Sequence, residues 1–181
     1  MTILPLLALI FALIFPLCLL WAAFTDLTTM TIPNRLTIGL AAAFVPVALF
    51  AQLSLAGWGL HIGLGVAGLA LGMTLFALNF MGGGDAKLIA AASLWLGFHG
   101  FVALLVYTAI FGGVLTLGIV LMRKFFWHYG QGLPRWAGQH FEEKGGIPYG
   151  IAICAGGIAA IGQSEFLWVI LRPVLGQILP H

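Results

Sequence analysis

Long apolar blocks separated by short polar or glycine-bearing stretches set the pattern of this chain. They run at about 3–24, 36–53, 58–80, 86–98, 101–122 and 147–161. The first holds about 22 residues, enough to cross roughly 30 Å of hydrocarbon at about 1.5 Å per residue. Six such blocks predict about six transmembrane helices in an all-α, polytopic membrane helix bundle, a single domain over residues 1–181. The tail at 165–179 is apolar but interrupted by Arg172 and Pro173, so an interfacial C-terminal helix is expected there rather than a seventh crossing. The first cation is Arg35, so the first block lacks the basic lead-in of a signal peptide and reads as a retained helix.

Composition settles the class. Only 7 residues are Lys or Arg and 5 are Asp or Glu, against 62% hydrophobic residues and a mean hydropathy of +1.12. A soluble domain carries about 25% charged residues, so a soluble enzyme and a nucleic-acid binder are both excluded as readings of the whole chain. The partner that composition demands is the lipid bilayer. Cys18 and Cys154 stand alone in apolar blocks, and the five histidines include no His-Glu-x-x-His, so no metal and no cofactor are expected.

The cations give a direction. Arg35, Lys87, Arg123, Lys124, Arg135 and Lys144 fall on one side of a six-span path, while the stretches at 52–57 and 97–100 carry none. The positive-inside rule makes the first side cytoplasmic and the N-terminus extracytoplasmic. Within the third block, Gly59 and Gly63, then Gly68 and Gly72, have the spacing that lets membrane helices approach closely. The stretch 123–146 is the one sizeable loop, and Phe125, Phe126, Trp127, Tyr129, Trp136 and Phe141 among its basic residues read as an aromatic belt at the headgroups.

The chain has two aspartates, Asp26 after the first block and Asp85 after Gly82-Gly83-Gly84. Two crossings lie between them, so both carboxylates return to the same face. The block 86–98 is short for a full crossing, which places Asp85 below the membrane surface, where ionisable side chains are costly and mark function. Two carboxylates in one low-dielectric site share a proton and act as base and acid on one water. The start of the fourth helix offers its dipole to an anion at Asp85, and the end of the first offers none to Asp26.

Gly82-x-Gly84-Asp85 resembles the Gly-x-Gly-Asp signature of intramembrane aspartyl proteases. The longer run Gly83-Gly84-Asp85-Ala86-Lys87-Leu88, with Asp26 ahead of Ile32-Pro33-Asn34, resembles the type IV prepilin peptidases. Pro148-Tyr149-Gly150 is similar to the short form associated with tight-adherence (Flp) pili. The resemblance implies that Asp26 and Asp85 are the catalytic pair of a peptidase that removes the short basic leader of a prepilin or pseudopilin, whose apolar helix stays in the bilayer. It also implies an inner-membrane location, cleavage at the cytoplasmic face, and a role in pilus assembly or secretion. The cysteine-bearing insertion of the long, methylating forms is missing, so methyl transfer is not expected.

Five further residues are candidates for binding substrate or shaping the site: Gly82, Gly84, Lys87, Asn34 and Tyr149. Asn34 most simply caps the second helix, and Lys87 has the alternative of anchoring at the interface. Glu142 and Glu143 are placed to attract a basic leader or to stand in a solvated loop. Gly162-Gln163-Ser164 is the nearest approach to a serine nucleophile, but Glu165 follows where an elbow requires glycine. A second class of reading is a small ion- or proton-coupled transporter, or an assembly subunit without proteolysis, with the aspartates as ion sites beside broken helices.

Overall fold

The computed structural model describes residues 3–126, 134–140, 142 and 145–178. Trp127, Tyr129, Phe141, Glu143 and Lys144 therefore lie outside the described residues, together with the loop roles expected of them. All six apolar blocks are helical. Helix α1 spans Ile3–Thr29, α2 Asn34–Phe50, α3 Leu55–Ala77 and α4 Gly83–Phe126; α5 is a single turn, Arg135–Gly138; α6 spans Tyr149–Ala160 and α7 Glu165–Ile178. Among the described residues three helices are long and apolar enough to cross a membrane, and a fourth crossing results if α6 and the start of α7, bent by 65°, count as one. The shorter α2 is apolar beyond its polar first turn of Asn34 and Arg35.

The fourth and fifth blocks are joined in α4, whose 44 residues would reach about 66 Å if straight, twice the hydrocarbon thickness. The helix divides at Gly97, where φ is 68° and ψ −176°, values that an L side chain adopts only under strain. The break strands carbonyls at the end of the first arm, 83–96, and lipid offers them no hydrogen bond. Side chains from elsewhere supply it. His61 Nδ1 of α3 donates to the Leu94 carbonyl at 2.6 Å, and Ser164 Oγ donates to the Trp95 carbonyl at 3.2 Å. Ser164 is fully buried and its Oγ also accepts from the Leu167 amide at the start of α7, so it is a helix cap and not a nucleophile.

The core lies along α4. Trp95 is fully buried, its indole nitrogen donates to the Leu40 carbonyl of α2 at 3.0 Å, and its ring meets Phe15 of α1 and Phe44 of α2. Apolar side chains such as Val66, Val114 and Leu117 point outward, as a lipid-facing surface requires. The close approach of α3 to α4 uses one of the two expected glycine pairs, Gly68 and Gly72, together with Gly65, and not the other. A Cβ on Gly65, Gly68 or Gly72 would come within 2.6–2.7 Å of Leu94, Ser93 or Ala86, whereas Gly59 and Gly63 meet nothing within 4 Å. A spacing of four fits any helix face; the face that packs is the one opposite α4's small residues. The tail forms the expected C-terminal helix, with the difference that α7 continues through Arg172 and Pro173 to Ile178. A proline costs a helix one hydrogen bond without ending it. Phe166, Leu167 and Ile170 bury the inner side of α7, which packs on α1 and α4.

Candidate active site

Asp26 lies in the last turn of α1, which extends past the first apolar block to Thr29, and Asp85 is the third residue of α4. Both are buried, at 6% exposure, and both line one cavity of about 390 Å³. The wall between them is made by the α3–α4 connection, Asn79 to Gly82, and by Gly145, Gly146, Ile147 and Tyr149 ahead of α6. The two-crossing argument is thus realised in geometry: carboxylates 59 positions apart in sequence share one chamber.

Each carboxylate is seated by a backbone amide. Asp85 Oδ2 accepts from the Gly82 amide at 3.0 Å, and Asp26 Oδ2 accepts from the Gly150 amide at 2.7 Å. Gly150 is the second residue of α6, so α6 gives Asp26 the helix N-terminus that its own helix does not. Contact there is tight: a Cβ on Gly150 would lie 2.9 Å from both Asp26 Cβ and Asp26 Oδ2. Asp85 Oδ1 is buried with no hydrogen-bond partner among the described residues. A buried carboxyl oxygen without a partner is costly, and inside a chamber shared with a second carboxyl group it is where a water would bind.

Two helix ends shape the chamber. Met30 and Asn79, the residues after α1 and near the end of α3, adopt positive φ of 54° and 61° and both line the cavity. Met30 closes α1 by donating its amide to the Asp26 carbonyl at 2.8 Å. The remaining carbonyls of that turn, Leu27 and Thr28, accept from Gln139 Nε2 at 3.3 Å each, and Leu27 also accepts from His140 Nε2 at 2.9 Å. Arg123 at the end of α4 clasps the same segment, donating to the His140 carbonyl at 2.9 Å and the Gly146 carbonyl at 2.8 Å. The wall residues Gly145 and Gly146 are therefore tied to two helix ends.

The other candidates divide. Gly82 lines the chamber and holds Asp85 through its amide, and a Cβ there would lie 3.1 Å from Asp85 Oδ2. Gly84 faces Ile32 instead, where a Cβ would come within 3.2 Å of the Ile32 side chain. Its role is to let the α1–α2 connection pack on α4. Tyr149 lines the chamber and its hydroxyl pairs with that of Thr116 at 3.1 Å. Lys87 and Asn34 stand apart from the dyad chamber and line a second cavity, joined by a 2.9 Å hydrogen bond from Lys87 Nζ to Asn34 Oδ1. Asn34 does not cap α2, because that helix begins at Asn34 itself, with Pro33 in the cap position and no side-chain cap bond. Among the described residues, no cluster of three or more His, Cys, Asp or Glu could hold a metal ion. Sequence reasoning passed over Gly150 as a partner of Asp26, and over Arg123, Gln139 and His140; the only signal for any of them was the motif containing Tyr149 and Gly150.

A helical membrane protein that gathers its two aspartates at one end of the bundle, in one chamber walled by glycines, is the class that fold and site define. Residues 13–117 match the type IV leader peptidase family, and the chain belongs to that family. The match contains both aspartates and Gly82, Gly84 and Lys87, and ends before Tyr149 and Gly150. No curated protein and no solved structure matches the chain. Family membership supports a prepilin leader peptidase role over a transporter.

Proposed function

We propose that this protein is a membrane aspartic endopeptidase that removes the short basic leader from type IV, Flp-like prepilins, with Asp26 and Asp85 as the catalytic pair. The observation that carries the reading is the shared chamber: both aspartates reach it from different helices, each seated by one backbone amide, with Asp85 Oδ1 left for a water. In the reaction the pair shares one proton. The ionised carboxylate takes a proton from water as its oxygen adds to the scissile carbonyl carbon, and the protonated partner hydrogen-bonds the carbonyl oxygen. Collapse of the tetrahedral adduct breaks the C–N bond while a carboxyl donates its proton to the departing nitrogen, giving a leader carboxylate and a new pilin amine. Tyr149, fixed by Thr116, lines the path of the substrate, and Gly82 holds Asp85 in place.

The side that carries Arg35, Lys87 and Arg123 is the cytoplasmic face of the inner membrane in this reading, and the N-terminus is extracytoplasmic. A prepilin would present its leader there while its apolar helix remains in lipid. The test is co-expression with a tight-adherence prepilin, reading leader removal by gel mobility for the wild type, Asp26→Asn and Asp85→Asn. Both variants should accumulate unprocessed prepilin at wild-type protein levels. Normal processing by either one would rule out the pair.

A further inference from the structure

The second cavity, about 450 Å³, opens between α2 and α3 with the first arm of α4 as its floor. Helices α2 and α3 both pack on α4 but scarcely on each other, so the groove is a gap in the bundle wall. Its sides are apolar and outward-facing, with Ile38 67%, Val66 62% and Ile62 51% exposed. Among the described residues its one charged side chain is Lys87, placed with Asn34 at the end nearer the dyad, in the first turns of α4 and α2. Lys87 makes no ion pair among the described residues, and it donates instead to the neutral Asn34 amide oxygen. Arg35, next to Asn34, is also exposed and without an ion pair among the described residues. From Lys87 to Leu94 the groove is about 10 Å long, roughly two helical turns.

We propose that this groove is a binding site for an anionic phospholipid, with its phosphate at Lys87 and Asn34 and an acyl chain lying between α2 and α3. The argument is complementarity of shape and charge: a cation beside an amide at one end and an apolar trough below it match a charged headgroup above a hydrocarbon chain. A basic pocket between membrane helices is a recognised form of headgroup site. Charge favours a lipid over an apolar helix from another protein, since a phosphate supplies the anion that Lys87 at the end of the groove calls for. Bound lipid would fill a gap whose walls otherwise lose packing contacts, and would splint α2 to α3. The site is separate from the dyad chamber, and the proposal does not depend on the cleavage reading.

Native mass spectrometry of the detergent-purified protein, titrated with phosphatidylglycerol or phosphatidylcholine, tests it. Wild type should retain phosphatidylglycerol in preference to phosphatidylcholine. Lys87→Gln should weaken phosphatidylglycerol retention by about five-fold, the scale of one cation at a membrane surface, while Arg172→Gln on α7 should not. Val66→Trp, filling the groove from its exposed edge, should reduce retention of both lipids, with thermal unfolding used to establish that the variant is folded. Equal retention of the two lipids, or no loss in Lys87→Gln, overturns the proposal. So does a folded Val66→Trp protein that keeps its lipid but no longer processes a prepilin, an outcome that would assign the groove to a substrate helix.

Discussion

Replacing Gly150 by alanine probes the least expected contact in the site. The added Cβ would sit 2.9 Å from Asp26 Cβ and Oδ2, so α1 and α6 must separate by at least about half an ångström to reach ordinary van der Waals distance. The 2.7 Å bond from the Gly150 amide to Asp26 then stretches toward the limit of hydrogen bonding. A hydrogen bond to a charged group contributes about 1.5–3 kcal/mol, and each ~1.4 kcal/mol is ten-fold in rate. Leader removal should therefore slow between about ten-fold and a little over a hundred-fold. The assay is a time course of prepilin cleavage by purified enzyme in liposomes, with thermal unfolding measured alongside. Gly113→Ala is the control, because a Cβ there meets nothing within 4 Å. Wild-type cleavage by Gly150→Ala would refute the claim that this amide seats Asp26, and an equal loss in Gly113→Ala would show that the effect is unspecific.

Further outcomes follow from the bundle. Gly97→Ala forces a side chain into φ 68°, which costs about 1–2 kcal/mol, and should lower the thermal unfolding temperature of the purified protein. An unchanged unfolding temperature would mean that the break between the arms of α4 is not held in that conformation. Arg123→Ala removes the bonds at 2.9 and 2.8 Å that hold the His140 and Gly146 carbonyls, so limited proteolysis should cut near 139–146 faster than in wild type. Arg123→Lys, with a single ammonium in place of the fork, should restore only part of the protection; protection equal to wild type in the alanine variant would dissolve the clasp.

How much of this was legible in the sequence depends on the range of the interaction. The apolar blocks, the two aspartates and the break near Gly97 are local signals, because hydrophobic length, residue type and a glycine pair each speak for themselves. Counting crossings then placed Asp26 and Asp85 at the same end without any structure. Contacts between distant segments were not legible: Gly150 to Asp26 and His140 to Leu27 join positions more than a hundred residues apart. Asn34 shows the error that results. Its residue type favours capping, but α4 places Lys87 within reach and that partner takes the side-chain oxygen. The glycines of α3 were half legible: Gly68 and Gly72 pack on α4 and the equally spaced Gly59 and Gly63 do not, a choice that only the neighbouring helix makes.

The bond from Gly150 to Asp26 spans 124 residues, and that distance imposes an order on biogenesis. A nascent chain that has emerged as far as α4 already carries both aspartates and the Gly82–Asp85 contact, yet the carboxylate of Asp26 has no amide to rest on. The amide arrives with the first turn of α6, after Gln139 and His140, which hold the Leu27 and Thr28 carbonyls at the end of α1. Synthesis therefore finishes the chamber last, and a protein truncated or stalled before residue 150 would hold both aspartates without the seat that orients the first of them.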